Sequence, residues 1–184
     1  MYQKYIKRFL DIILSFVLII VLFPLMLITS IIVLIDLGLP LFNEIREREG
    51  LNKKAFIMYK FRTKKANSGT NHSSDCYTPI SRIIDRFRLN ELPQLFNVLI
   101  GDMSLVGPRP FIPGEKLPLG DISPKRYLVR PGITGLAQVN GGRSITHKDK
   151  LKYDVIYYDN LSFKEDFMII WKTIFNFFRI DYKK

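Results

Sequence analysis

The stretch IILSFVLIIVLFPLMLITSIIVLI, residues 12–35, has 24 positions without a charge, and only Ser15, Pro24, Thr29 and Ser30 interrupt its apolar character. A helix of this length rises about 36 Å, enough to cross the hydrocarbon core of a bilayer. The 28 Lys and Arg residues and the 17 Asp and Glu residues all lie outside it, with a net charge of +11. The sequence therefore predicts a membrane-embedded element joined to a basic, water-facing domain, and it excludes a disordered chain or a simple soluble globule.

Two features of this stretch bear on whether it spans the membrane or turns back within it. Pro24 lies near its middle, where proline removes a helix hydrogen bond and favours a kink or a break. Positive charge holds a flank on the cytoplasmic side, and both flanks are basic. The flanking cations are Lys4, Lys7 and Arg8, followed by Arg46, Arg48, Lys53 and Lys54. Acidic residues dilute the second flank, so the pattern leaves a re-entrant and a spanning helix equally open.

The rest of the chain predicts short elements separated by loops. We expect a β-rich run at 55–61, helices at 80–87, 91–99, 147–158 and 163–179, and Gly- and Pro-containing loops at 101–120 and 130–142. Ser162 and Glu165 form a capping-box pattern at the start of the last helix. That helix carries a broad aromatic stripe, which fits either a core-facing helix or one lying in the membrane interface. The single cysteine, Cys76, cannot form an intramolecular disulfide, which fits a reducing compartment.

The densest chemical pattern is LNELPQLFNVLIGDMSLVGPRP, residues 89–110. The carboxylate Glu91 stands just before Pro93, at a predicted helix start, and Asp102 follows one helix later. Arg109 is flanked by prolines that restrict its backbone, and its planar guanidinium suits phosphate oxygens. Carboxylates beside an arginine are typical of a divalent-metal site that handles phosphates, whereas a structural ion pair between Arg109 and Asp102 is the alternative.

Two further basic clusters adjoin predicted turns. The run KFRT contains Lys60 and Arg62, and the run RPGITG begins with Arg130. Three such clusters suit a polyanionic ligand such as a nucleotide diphosphate. The sequence lacks both the P-loop pattern and the dinucleotide pattern G-x-G-x-x-G, so these phosphate-binding modes are disfavoured. A nucleic-acid-binding module would fit the positive charge but not the intramembrane segment, so we expect no nucleic-acid partner.

Taken in order, these motifs resemble the small monotopic bacterial phosphoglycosyl transferases of the bacterial sugar transferase family, which initiate surface-glycan assembly. The resemblance covers nearly the whole chain. The matching segments are KR with Asp11 before the apolar stretch, Arg48 and Gly50, YKFRT at 59–63, ELPQLFNVL at 91–99, GDMSLVGPRP at 101–110, RPGITG at 130–135, AQV at 137–139, Arg143 and Asp154.

The resemblance implies a fold and a reaction. The fold is α+β and mainly helical, with a re-entrant membrane helix broken near Pro24 (1–38) and an interfacial catalytic domain with amphipathic helices (39–184). The reaction transfers a phospho-sugar from a UDP-sugar to undecaprenyl phosphate with Mg²⁺ and releases UMP. An Asp of an Asp-Glu dyad attacks the β-phosphorus, and the polyprenyl phosphate then attacks that intermediate. The implied location is the bacterial inner membrane with the site facing the cytoplasm, among membrane lipid and with downstream glycosyltransferases as further partners.

Site residues follow from the same match. Asn90 and Glu91 occupy the catalytic dyad, and both are the expected Mg²⁺ ligands. The expected substrate contacts are Lys60, Arg62, Gly107, Pro108, Arg109, Pro110, Arg130, Pro131, Gly132, Gln138 and Arg143.

This chain departs from the family pattern at the dyad itself. Asn90 stands where the family has its nucleophilic Asp, and an amide is a far poorer nucleophile than a carboxylate. Asp85 stands where the family usually has an arginine, and Leu136 replaces a tryptophan. Three accounts of Asn90 stay open: an engineered inactivating change, a natural subgroup that uses another nucleophile such as Asp85, or a non-catalytic membrane-anchored nucleotide-sugar-binding or scaffold protein.

Overall fold

A computed structural model describes residues 2–42, 47–65, 76–114, 123–142 and 144–179. Within these ranges the chain forms six α-helices and four three-residue strands, so the mainly helical α+β class is confirmed. The helices are α1 (Lys7–Leu37), α2 (Pro79–Arg86), α3 (Gln94–Ile100), α4 (Leu136–Val139), α5 (His147–Asp159) and α6 (Phe163–Arg179). The strands are β1 (Glu47–Glu49), β2 (Ala55–Ile57), β3 (Ser104–Val106) and β4 (Gly132–Thr134).

Helix α1 runs through Pro24 as one continuous helix, so the break predicted there is not confirmed. The segment Tyr2–Leu37 comprises α1 and the helical turn that precedes it. Among the described residues, it is the one helical segment that is long and apolar enough to cross a membrane. A narrow stripe at helical spacing is buried, and it consists of Lys7, Asp11, Ser15, Met26, Thr29 and Val33. The other faces of α1 expose large apolar side chains, which suits a surrounding of lipid rather than water.

The N-terminal end of α1 is attached to the domain by charged side chains. The Lys7 ammonium lies 2.7 Å from the Asp166 carboxylate of α6. The Arg8 guanidinium donates to the carbonyl oxygens of Val98 and Leu99, in the last turn of α3, at 2.6 and 2.8 Å. Cations are favourable at this end of a helix because its last carbonyls have no backbone partner.

The C-terminal end of α1 is attached to the same domain. Arg62 donates to the carbonyl oxygens of Leu37 and Gly38, the latter at 2.7 Å, and thereby caps α1. The Thr78 hydroxyl, which also caps the first turn of α2, donates to the Asp36 carboxylate. The 31-residue helix is therefore held at both ends by one folded unit.

Two small sheets place the Gly- and Pro-containing turns. Strands β1 and β2 pair antiparallel, with Arg48 opposite Phe56. Strands β3 and β4 pair parallel, with Ser104 opposite Gly132 and Val106 opposite Thr134. Because the strands run in parallel, the GPRP turn that follows β3 and the RPGITG turn that contains β4 lie side by side.

Helix α6 turns its aromatic stripe outward rather than into the core. Its inner face carries Ile169, which is fully buried, and Thr173 and Asn176, which bond to Thr134 and to the Val139 carbonyl. The exposed large side chains are Phe163, Phe167, Met168, Trp171, Ile174, Phe175 and Phe177. Of the two alternatives for this helix, the core-facing one is therefore wrong for most of the stripe.

Candidate active site

The predicted dyad lies in a 3₁₀ turn, Leu89–Glu91, between α2 and α3. The Phe61 N–H donates to the Asn90 carbonyl at 2.9 Å, so the KFRT segment runs beside this turn. That backbone bond places Lys60 next to Glu91, with its Nζ 3.4 Å from the Glu91 Oε1. Two motifs about thirty residues apart in the sequence thus form one charged cluster.

Glu91 is the acidic centre of this cluster. Arg88 adds a second cation, with Nη1 3.2 Å from the same oxygen, and only 11% of the Glu91 side chain is exposed. Burial raises the pKa of Glu91, but the charges of Lys60, Arg109 and Arg88 outweigh this effect and hold the pKa below its usual range. Glu91 is therefore ionised at neutral pH.

Lys60 and Arg109 complete the cluster. Burial lowers the pKa of Lys60, the charges of Glu91 and Asp85 oppose that change, and the charge of Arg109 adds to it. Arg109 itself is exposed, and its side chain forms no ion pair with Asp102 within the described part of the chain. The structural alternative for Arg109 is thus wrong, and its exposed guanidinium lies close enough to Lys60 and Glu91 for its charge to act on both.

Asn90 is fully buried, and its contacts explain its orientation. The Asn90 Nδ2 donates to the Asp85 Oδ1 at 2.9 Å, and Asp85 lies in the last turn of α2. The Asn90 Oδ1 is buried and has no hydrogen-bond partner. The position expected to hold the nucleophile therefore holds a neutral amide that is bonded to a nearby carboxylate.

The two Gly- and Pro-containing turns approach at backbone distance. A Cβ on Gly132 would lie 2.0 Å from the Gly107 nitrogen, and one on Gly107 would lie 2.3 Å from the Arg130 carbonyl oxygen. Only glycine fits either position, because an added Cβ would overlap backbone atoms. Gln138 donates to the Gly107 carbonyl at 3.4 Å. Pro108, Pro110 and Pro131 line a small depression beside Arg126.

Two of the expected substrate contacts bond to carbonyl oxygens at the C-terminal ends of helices. Arg62 is buried and caps α1 as described above. Arg130 donates from Nε to the Gly101 carbonyl at 2.8 Å, at the C-terminal end of α3, whereas Glu91 precedes the N-terminal end of that helix. Arg143 lies outside the described residues.

Two residues of the site were missed by the sequence reasoning. Arg88 pairs with Glu91 at a spacing of three, which charge patterning could have indicated. Asn97 is fully buried, accepts from the Tyr59 N–H at 2.9 Å and donates to the Ile57 carbonyl at 2.7 Å. It fixes the strand segment against α3, and no local pattern distinguishes such an amide from an exposed one.

Comparison with known proteins gives the family of the chain. Residues 2–180 match the bacterial sugar transferase family. The chain belongs to this family. An uncharacterized sugar transferase of Bacillus subtilis, EpsL, is 42% identical over 153 residues, which cover 80% of this chain and 75% of the relative.

Two longer relatives carry more specific names. A UDP-N-acetylgalactosamine-undecaprenyl-phosphate N-acetylgalactosaminephosphotransferase of Aeromonas hydrophila is 36% identical, across 92% of this chain and 43% of the relative. An undecaprenyl-phosphate galactose phosphotransferase of Salmonella typhimurium is 32% identical, across 93% and 40%. This sugar transferase chain therefore spans less than half the length of these two relatives.

The oxygen donors near Glu91 in this sugar transferase fit magnesium if substrate phosphates supply further ligands. In the described part of the chain, no three His, Cys, Asp or Glu side chains form a group that could hold a metal ion. Mg²⁺ is, however, often held by one or two carboxylates together with substrate phosphates. The ionised Glu91 and the unpartnered Asn90 Oδ1 belong to consecutive residues and are oxygen donors of the kind that Mg²⁺ prefers.

We predict that Gly132→Ala disrupts the site while Gly114→Ala does not. The added Cβ at 132 meets backbone atoms at 2.0 and 2.3 Å, which separates β3 from β4 and displaces the turn that carries Arg109. At Gly114 a Cβ meets nothing within 4 Å, and the cost is the positive φ of 71°, about 1 kcal/mol. Thermal unfolding in detergent should show a large drop, or no folded protein, for Gly132→Ala alone. Similar melting temperatures would contradict the close pairing.

Proposed function

We propose that this sugar transferase moves a phospho-sugar from a UDP-sugar to undecaprenyl phosphate and releases UMP, in the first membrane step of surface glycan biosynthesis. The observation that carries the proposal is the cluster of Lys60, Arg88 and Arg109 around Glu91. The names of the Aeromonas and Salmonella relatives support the same reaction class.

The charges of the cluster suit a diphosphate. Lys60 and Arg88 are held by Glu91 at fixed positions, and Arg109 is exposed beside them. Such preorganised cations stabilise charge that develops on phosphoryl oxygens, without reorganisation during the reaction. A guanidinium can bond two phosphate oxygens at once, so Arg109 is the residue we assign to the diphosphate of the UDP-sugar.

Magnesium is the cofactor of the proposed reaction. Glu91 and the Asn90 Oδ1 would hold it, and the bound ion would neutralise negative charge on the diphosphate. The lowered pKa of Glu91 keeps a charged ligand available throughout the neutral range.

We also propose that α1 is re-entrant and that the site faces the cytoplasm at the inner membrane. Both ends of α1 contact one domain, whereas the ends of a spanning helix lie on opposite sides of the bilayer. Pro24 is exposed on the face opposite the buried stripe. Because a proline ring clashes with the preceding turn on its own side, any bend at Pro24 directs both halves toward the domain.

Exposed apolar surface outside α1 supports the same placement. The outer faces of α2, α3 and α6 expose Ile83, Ile100 and Trp171, among others. Phe87, which directly follows α2, contacts Phe177 of α6 at 6.4 Å between ring centroids. Such a surface suits the membrane interface. One proposed substrate is soluble and the other is anchored in lipid, so the reaction requires a site at this boundary.

A non-catalytic nucleotide-sugar-binding or scaffold protein is the second candidate. The neutral, buried Asn90 is the observation that favours it. The two candidates differ in turnover and not in binding.

The reaction is tested by UMP release from a panel of UDP-sugars with undecaprenyl phosphate and Mg²⁺ in detergent or nanodiscs. We expect release with at least one UDP-sugar, dependent on both substrates and on Mg²⁺, and a loss of at least a hundredfold in Glu91→Gln, since that change removes the charged ligand. UDP-sugar binding with no UMP release would favour the scaffold, and absence of binding would contradict both candidates.

Arg109 and Arg62 are distinguished by the same substitution at each position. Arg109→Lys should weaken UDP-sugar binding about ten- to a hundredfold, the loss of one charge-assisted bond of about 1.5–3 kcal/mol, with the melting temperature unchanged. Arg62→Lys should lower the melting temperature, because an ammonium cannot reproduce the planar contact with the end of α1. Calorimetric titration and thermal melts measure the two effects. A lower melting temperature for Arg109→Lys together with weaker UDP-sugar binding for Arg62→Lys would contradict this assignment.

Cysteine accessibility tests the topology. In a Cys76→Ser background, Gln3→Cys and Leu39→Cys should both react with an impermeant maleimide from the cytoplasmic side of vesicles, because a re-entrant helix keeps both ends there. Val21→Cys, at a position that is 65% exposed near Pro24, is the control and should be protected by lipid. Labelling of Gln3→Cys and Leu39→Cys from opposite sides would establish a spanning helix.

A further inference from the structure

We propose that Asp85, and not the residue at position 90, supplies the carboxylate nucleophile of this chain. The inference rests on the proposed phospho-sugar transfer. It assigns to α2 a catalytic residue that lies five positions before the matched dyad.

Burial and contact distinguish the two positions. Asn90 has no exposed surface, and its amide carries no charge, so it does not attack a phosphorus atom. Asp85 is half-buried and therefore more accessible than Asn90. The 2.9 Å bond from the Asn90 Nδ2 to the Asp85 Oδ1 fixes the position of the carboxylate. Asn90 is thus a positioning residue for Asp85.

The charges around Asp85 are those that a phosphoryl-transfer nucleophile requires. The charges of Asp85 and Glu91 both act on Lys60, and the charge of Arg109 acts on Lys60 and on Glu91. Asp85 therefore belongs to the same cluster as the proposed metal ligand and the proposed diphosphate contact. A carboxylate placed here meets a phosphorus whose oxygens are neutralised by cations.

A second carboxylate at position 90 would lie within hydrogen-bonding distance of the Asp85 carboxylate. Two like charges at this separation repel each other. The neutral amide avoids this repulsion and donates a hydrogen bond instead. Asn90 is therefore the residue that an active Asp85 needs beside it, and the pair contains one carboxylate in total.

The proposed step balances without any further reagent. An Asp85 carboxylate oxygen bonds to the β-phosphorus of the UDP-sugar, the bond from that phosphorus to the bridging oxygen breaks, and UMP leaves with the electron pair. An oxygen of undecaprenyl phosphate then bonds to the same phosphorus, and Asp85 leaves as a carboxylate.

The test combines turnover with location of the covalent intermediate. Asp85→Asn should lower UMP release at least a thousandfold while the melting temperature stays close to that of the unmodified chain, because the introduced amide is isosteric with the carboxylate. Asn90→Asp alone should lower release about tenfold or more, through repulsion with Asp85. The double variant Asp85→Arg with Asn90→Asp, which moves the single carboxylate to position 90, should recover activity relative to Asp85→Arg alone.

The intermediate is trapped with UDP-sugar in the absence of undecaprenyl phosphate, followed by hydroxylamine, which converts an aspartyl phosphate to a hydroxamate. Trypsin cleaves after Arg82, Arg86 and Arg88, so residues 83–86 and residues 89–116 fall in separate peptides for mass spectrometry. We expect the hydroxamate on Asp85.

Three results would overturn the assignment: a hydroxamate within residues 89–116, release by Asp85→Asn within a few-fold of the unmodified chain, or a large gain in Asn90→Asp. If the unmodified chain is inactive but the double variant is active, Asp85 is not the nucleophile and the proposed reaction class stands. If neither releases UMP with any UDP-sugar, the proposed function fails, and the assignment fails with it.

Discussion

Asp166 is a buried carboxylate with three donors: Lys7 at 2.7 Å, the Tyr2 hydroxyl at 2.5 Å and the Tyr157 hydroxyl at 2.7 Å. A buried carboxylate is costly unless it is paired and hydrogen-bonded, and these three contacts offset that cost. They join the start of α1 to α5 and α6. Removing Lys7 would leave the Asp166 charge uncompensated in the interior, which is why the position of the membrane helix is not independent of the domain.

The Asp166 carboxylate also accounts for the arrangement of α6, whose polar side chains face the domain and whose aromatic side chains face outward. Asp166 faces inward with Thr173 and Asn176, and the aromatic side chains face outward. In a soluble protein such a helix would expose an aromatic surface to water at a large cost in free energy. Here the polar inner face is satisfied by the domain, and the outer face is available to lipid.

Sequence reasoning predicted the helical class, the positions of most helices and the central motif, because these depend on local patterns. The apolar stretch, the cap at Ser162 and the aromatic periodicity of α6 are all readable within a few turns. The continuity of α1 through Pro24 and the direction of the α6 stripe were not readable, since both depend on what lies beside the helix. The bonds of Arg62 and Arg130 to helix carbonyls were not readable for the same reason: the sequence does not distinguish an arginine that caps a helix from one that binds phosphate.

Helix α3 connects the membrane segment to the charged cluster. Arg8 and Arg130 bond to carbonyls at its C-terminal end, and the turn with Asn90 and Glu91 precedes its N-terminal end. Seven residues span only about 10 Å, so the two ends of α3 lie close together. Asn97, buried in its middle, holds the strand segment that leads to Lys60. Through α3, the contacts of Arg8 with the helix end and of Asn97 with the strand segment fix where Glu91 and Lys60 lie relative to α1.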